Sequence, residues 1–186
     1  MGEVKKYVLT GVSGCGKSSL IDEFENRGYC VLKEVAEPYI LEQQSKGIEK
    51  PWLSKDFQPV LLELQYRNED SIHYRMESVF MDRALPDVLA FFEHRKENVP
   101  AGLKARIGDY VQSYTKIFFL ESIDIFNKSD FRVESGFGEA AKIGNIIRRI
   151  YSELGYEIID IPFFPGDEKT AVGKRADYIL EHVDSW

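Results

Sequence analysis

Lys17 and Ser18 close the run Gly11-Val12-Ser13-Gly14-Cys15-Gly16-Lys17-Ser18. A lysine and a hydroxyl behind a spaced set of glycines is the arrangement that binds a chain of phosphates. The glycines let successive backbone N–H groups curl around a β-phosphate without Cβ clashes. The helix that follows would aim its N-terminal partial positive charge at the same anion. The spacing therefore assigns nucleotide binding to Gly11, Ser13, Gly14, Cys15, Gly16, Lys17, Ser18 and Ser19. Lys17 is expected to reach the β- and γ-phosphates, and the Ser18 hydroxyl to take Mg²⁺. A nucleoside triphosphate, ATP with GTP left open, is the expected ligand.

Other charged groups stand where they could complete a reaction. Val79-Phe80-Met81-Asp82 is an apolar run ending in a carboxylate. Asp82 there could hold Mg²⁺ or take a proton from an attacking hydroxyl, and Arg83 directly after it could meet a phosphate or a substrate. Glu34 and Glu37 follow the second apolar run, and either could accept a hydroxyl proton; Glu34 is the candidate carried forward. Arg132, with Asp130 and Glu134 beside it, lies in a polar segment, about 122–137, that reads as a lid over the phosphates. Its guanidinium could neutralise a transferring phosphoryl group. Asn127-Lys128-Ser129-Asp130 matches a guanine-reading pattern. It is displaced from its strand by six residues, and we treat it as a chance match. Lys142, Arg148 and Arg149 read as a charged helix face and weaker anion candidates. His73, His94 and His182 make no metal-ligand spacing.

These groups need a scaffold, and the pattern of the chain supplies one. Val4–Thr10 carries the β-branched and aromatic composition of a strand, and Ser18–Glu25 reads as a helix. Further strands are expected over Tyr29–Val35, Glu77–Asp82, Lys116–Glu121 and Tyr156–Pro162. Helical patterns fall between them: a short one from about Tyr39, a long one from a Ser54 cap to Met76, then Leu89–Glu97 and Leu103–Tyr114. A helix with Ala140, Ile143, Ile147, Ile150 and Leu154 on one face follows, and a last one spans about Glu168–His182. On the long helix, Gln58, Leu62, Gln65 and Glu69 lie opposite the main apolar stripe; this face could cover a substrate, with Gln65 hydrogen-bonding, but ordinary exposure is expected. Alternation of this kind predicts an α/β fold with a mainly parallel sheet.

Composition bounds the partners. The 186 residues suit a single domain spanning 1–186, with 44% hydrophobic and 30% charged residues. A net charge of −7 argues against nucleic acid held by bulk electrostatics. No apolar run approaches the about 18–20 residues that cross a bilayer, and no apolar leader precedes the first strand. The two cysteines suggest no disulfide, so a cytoplasmic setting is expected.

Taken in order, the phosphate loop, Lys33-Glu34-Val35-Ala36-Glu37, Asp82-Arg83-Ala84-Leu85-Pro86-Asp87 and Asp130-Phe131-Arg132 resemble a known group. The chain is similar, over about residues 4–183, to the AAA-type phosphate-loop ATPase/kinase family that includes the nicotinamide-riboside kinase domain of the NAD-synthesis regulator. It is similar more loosely to deoxynucleoside and nucleoside-monophosphate kinases. The resemblance implies a three-layer P-loop NTPase fold around a mainly parallel five-stranded sheet. It also implies Mg·ATP as donor and a small-molecule acceptor, nucleoside- or nucleotide-like, beside it. By position it carries over Lys17, Ser18, Asp82 and Arg132, and Glu34 less directly. The expected activity is a small-molecule kinase. The alternative is an ATP- or GTP-binding regulator that hydrolyses slowly and acts through a protein partner. The acceptor and the choice between Glu34 and Asp82 as base stay open, as does a homodimer, for which no stretch marks an interface.

Overall fold

In the computed structural model, residues 3–72, 76–102, 113–121 and 137–183 are described. Five strands form one sheet: β1 (Lys5–Thr10), β2 (Val31–Leu32), β3 (Ser78–Asp82), β4 (Lys116–Leu120) and β5 (Ile158–Ile161). Their order is β2-β3-β1-β4-β5, and every pairing is parallel. Parallel neighbours need crossovers, and helices supply them: α1 (Lys17–Asn26), α2 (Ala36–Ser45), α3 (Phe57–Asp70), α4 (Leu85–His94), α5 (Phe137–Glu153) and α6 (Glu168–His182).

Strand alternation divides the core into two layers. Tyr7 and Leu9 of β1, Phe80 of β3 and Phe118 and Leu120 of β4 face α1 and α6, meeting Leu20, Ile21, Phe24, Ala176 and Ile179. Val8, Val79, Met81, Ile117 and Phe119 point the other way, toward Ala90 of α4 and Ile143, Ile147 and Tyr151 of α5. Sheet residues buried on both faces read as unbroken apolar runs, which is why the sequence marks these strands clearly. The three-layer α/β sandwich expected from the sequence is the observed fold.

The structure corrects several boundaries. The second strand shrinks from 29–35 to Val31–Leu32, because at the sheet edge only these residues pair, with Phe80 and Met81. Tyr29 instead packs edge-on against Phe24 and Phe80. Glu34 accordingly lies beyond the strand rather than on it. Helix α3 begins at Phe57 and ends at Asp70. Ser54 sits two residues before the Asp56 cap position, where its hydroxyl accepts the Asp56 N–H at 3.2 Å. Helix α4 starts four residues earlier than expected, with Pro86 in its first turn, where a missing N–H costs nothing. The segment expected to be helical over 103–114 lies outside the described residues up to 112. The lid segment lies outside them except for Phe137.

The larger correction concerns α3. Gln58, Leu62, Gln65 and Glu69, expected in solvent, are all buried. Both faces of this helix are covered. Leu62 and Tyr66 pack with Leu85, Val88 and Phe92 of α4, while Phe57 and Leu61 pack with Ile40 of α2.

Candidate functional site

The C-terminal ends of β1 and β3 lie side by side, Leu9 in register with Asp82. The phosphate loop leaves β1 at Gly11, whose φ of 136° is unfavourable for any residue with a side chain. A Cβ there would stand 2.8 Å from the Leu120 carbonyl oxygen, so glycine lets the loop pass directly under β4. At its other end Gly16, with φ 92°, turns the chain into α1.

Lys17 is buried, and its Nζ bends back across the loop. It donates to the carbonyls of Val12 at 2.9 Å and Gly11 at 3.3 Å and lies 3.6 Å from Cys15 Sγ. Ser13, Gly14, Gly16, Lys17, Ser18 and Ser19 line a cavity of about 570 Å³. Gly11 and Cys15 are absent from that lining. Cys15 is fully buried, so these two shape the loop from beneath.

Ser18 Oγ donates to Asp82 Oδ2 at 3.1 Å. The other carboxylate oxygen, Asp82 Oδ1, is buried with no protein partner. Burial pushes this carboxyl up to about 6; the charges of Lys17 and Arg83 pull it down, and Glu34 pushes it up. A hydroxyl next to an orphaned carboxylate oxygen is a hard-oxygen pair that fits Mg²⁺. Among the described residues no cluster of three His, Cys, Asp or Glu side chains could hold a metal. An ion at Ser18 and Asp82 would therefore lean on phosphate oxygens for its remaining ligands, the usual behaviour of Mg²⁺.

Arg83 sits in left-handed backbone, φ 69°, and is almost fully buried. Its Nη1 donates to the Gly11 carbonyl at 3.0 Å and to Asp87 Oδ1 at 3.2 Å. Its Nε approaches Glu34 Oε1 at 3.4 Å, and its guanidinium carbon stands 5.5 Å from the centre of the Phe91 ring. Glu34, reached from the β2–α2 connection, thus joins Lys17, Asp82 and Arg83 in one site. Arg132 and Asn127–Asp130 lie outside the described residues. Arg148 pairs with Asp160 and stacks on Phe119, and Arg149 pairs with Glu93 and Glu153.

On one side of the loop the cavity continues past Glu34 and Glu37 into an apolar chamber of Ile40, Phe57, Leu61, Val88 and Phe91, joined by Gln58 and Gln65. Gln58 Oε1 is buried there without a partner. On the other side lie Phe163, Gly166, Ala171, Val172 and Arg175. Arg175, nearly fully buried, donates to the carbonyls of Cys15 (2.6 Å), Pro162 (3.1 Å) and Glu121 (3.2 Å). Burial lowers its pKa. Sequence reasoning missed Gln58 as a buried group, and also Asp87 and Arg175. Asp87 carried a signal, an acid at the third position of a helix that begins near a proline. Arg175, one basic residue of an ordinary helix, carried none.

Among curated protein sequences, none matches this chain. Solved structures do. NadR in complex with NR superposes with a TM-score of 0.68 at 17% identity, over 98% of this chain and 52% of NadR, so this chain spans about half of that protein. Deoxyadenosine kinase from M. mycoides with bound dATP gives 0.61 at 16% identity, over 95% and 99% of the two chains. Thymidylate kinase from Ehrlichia chaffeensis gives 0.59 at 10% identity, over 97% and 98%. At these identities the likeness establishes a shared fold. The sequence itself matches the AAA domain family over residues 6–169, most of its length, and the chain belongs to that family.

Proposed function

We propose that this protein is a kinase that transfers the γ-phosphoryl group of Mg·ATP to a small, nucleoside- or nucleotide-like acceptor. The observation that carries the reading is the lining of the cavity. One continuous space of about 570 Å³ joins the phosphate loop to a second, largely apolar chamber edged by carboxylates. Nucleotide hydrolysis alone needs only the loop. A second chamber opening onto the same phosphates is what a bisubstrate transfer needs.

In this reading the loop amides and Lys17 hold the β- and γ-phosphates. Ser18 and Asp82 would hold Mg²⁺, which when bound offsets negative charge on the transferring group. The acceptor lies against Phe57, Leu61 and Phe91, and an N–H or O–H on its ring satisfies Gln58 Oε1. The acceptor oxygen bonds to the γ-phosphorus as the bond to the β–γ bridging oxygen breaks. We assign the acceptor's proton to Glu34, because Glu34 lines the cavity and Asp82 lies buried beneath Ser18. Arg83 holds Glu34 and the loop carbonyl at one spacing. The donor base takes the opposite flank, beside Phe163 and Arg175, with ATP as the donor and GTP as a second donor to try.

The test is a phosphoryl-transfer screen with Mg·ATP or Mg·GTP against nucleosides, nucleoside monophosphates, nicotinamide riboside and pantothenate-like alcohols, read by mass spectrometry. A phosphorylated acceptor that disappears in Lys17→Ala supports the kinase. Tight nucleotide binding with slow hydrolysis and no acceptor product would instead point to a nucleotide-dependent regulator.

A further inference from the structure

Asp87 is fully buried, yet it lines no part of the cavity. A buried carboxylate is costly unless its oxygens are satisfied, and here both are. Oδ1 accepts from Thr10 Oγ1 at 2.5 Å and from Arg83 Nη1 at 3.2 Å. Oδ2 accepts from Tyr151 OH at 2.6 Å and from the Ala84 N–H at 3.2 Å. These donors come from four places: the last residue of β1, the residue after β3, the cap residue before α4, and α5. The carboxylate is thus a junction between the strand that launches the phosphate loop and the residue that follows Asp82.

The residue it holds is under strain. A non-glycine side chain at φ 69° costs free energy, and the surroundings must over-determine that backbone for it to persist. Asp87 does so twice, gripping the Arg83 guanidinium with one oxygen and the next peptide N–H with the other. A further buried carboxylate, Glu69, fixes the following peptide, accepting from the Leu85 N–H at 3.0 Å and from Tyr114 OH at 2.8 Å. The same Arg83 Nη1 that donates to Asp87 also donates to the Gly11 carbonyl, while Nε faces Glu34. Losing the Asp87 contact would free the guanidinium to swing toward either, altering the distance between phosphate loop and acceptor-side carboxylate.

We infer that Asp87 is the positioning residue of the transfer site: it sets Arg83, and through Arg83 the spacing between the Gly11 end of the phosphate loop and Glu34. The inference rests on the kinase reading for its catalytic consequence, though not for its structural one. Asp87 touches neither donor nor acceptor, so its effect belongs in kcat rather than in nucleotide affinity.

A double-mutant cycle tests it. Asp87→Asn keeps the volume and removes the charge. It should lower kcat on the order of 10- to 100-fold, the scale of a misplaced reacting group, with the KM for Mg·ATP changed by no more than about twofold. Arg83→Ala should cost at least as much. In the Arg83→Ala background, Asp87→Asn should cost nothing further, since its route of action is gone. A merely structural Asp87 would give losses that multiply, and that result overturns the inference, as does an unchanged kcat in Asp87→Asn. Should Asp87→Asn fail to fold, Tyr151→Phe removes a single donor to the same carboxylate. It should lower kcat by about three- to tenfold; an unchanged kcat in a folded Tyr151→Phe overturns the inference. A readout independent of turnover is the Arg83 guanidinium in NMR spectra of labelled protein. Restrained Nη protons give resolved signals that Asp87→Asn or Tyr151→Phe should collapse or shift. If the unsubstituted protein phosphorylates no acceptor, the kinase reading fails and these signals alone decide. Resolved Arg83 signals identical in the variants refute the positioning role.

Discussion

The two ends of the cavity are built by different means. The phosphate loop is eight consecutive residues whose backbone is fixed by glycine dihedrals and a helix start. The acceptor end is assembled from side chains contributed by the β2–α2 connection, α3, the residue after β3, and α4. A binding loop made of backbone can be recognised from spacing alone. A chamber made of side chains depends on which helix faces which, and that is decided by packing between segments dozens of residues apart.

Perturbations should separate the two ends, and the largest belongs to the loop. Lys17→Ala should reduce phosphoryl transfer at least about 1,000-fold, the scale of losing a preorganised charge on the transferring group. Circular dichroism should show the same secondary structure as the parent. Unchanged turnover in that variant would remove the loop lysine from the site.

Asp82→Asn, at the seam between the ends, should reduce Mg²⁺-dependent transfer about 100-fold. Its stability should move the other way. The Asp82 carboxyl is raised to about 6 from 3.8, so the fold holds its proton more tightly than the unfolded chain does. Its stabilising contribution is complete below about pH 4 and is lost as pH rises through about 6. At pH 7.5 without metal, the amide variant should melt higher, on the order of 5 °C. Equal melting temperatures across pH 4–8 would contradict the raised carboxyl.

Gln58→Met sharpens the contrast from the acceptor side. It removes a buried oxygen that lacks a partner, so the protein should be at least as stable. The KM for the acceptor should rise about tenfold, with that for Mg·ATP unchanged. A rise in both would mean the chambers are not separate. Smallest is Arg149→Ala on the α5 surface. Its ion pairs with Glu93 and Glu153 are solvent-exposed, so neither the melting temperature nor the rate should change measurably.

What could be read from the sequence follows the same division. Lys17, Ser18 and Asp82 were legible because a loop and a strand end are local features, and Arg83 came with Asp82 as its neighbour. Glu34 was placed near the right crevice for a partly wrong reason, since it lies past the end of a two-residue edge strand. The α3 face was inverted. Gln58, Gln65 and Glu69 have the spacing of a wet helix surface, and nothing along the chain discloses that α2 covers one side and α4 the other. Asp87 entered the sequence reading only as the last residue of the Asp82–Asp87 motif, before a helix expected to start at Leu89. Its bond to Tyr151, 64 residues later, exists only in three dimensions.

The arginine of α6 has a consequence for the phosphate loop. One guanidinium takes carbonyls from the ends of three separate strand connections, at Cys15, Glu121 and Pro162. A trans peptide points its C=O and N–H in opposite directions, so drawing the Cys15 oxygen toward Arg175 turns the Gly16 N–H away from it. The C-terminal helix thereby acts as a cross-brace, setting the orientation of a peptide plane in a loop 160 residues upstream. The rim of the sheet should open as a unit: loosening Arg175 would speed amide exchange around residues 16 and 163 together rather than at one of them.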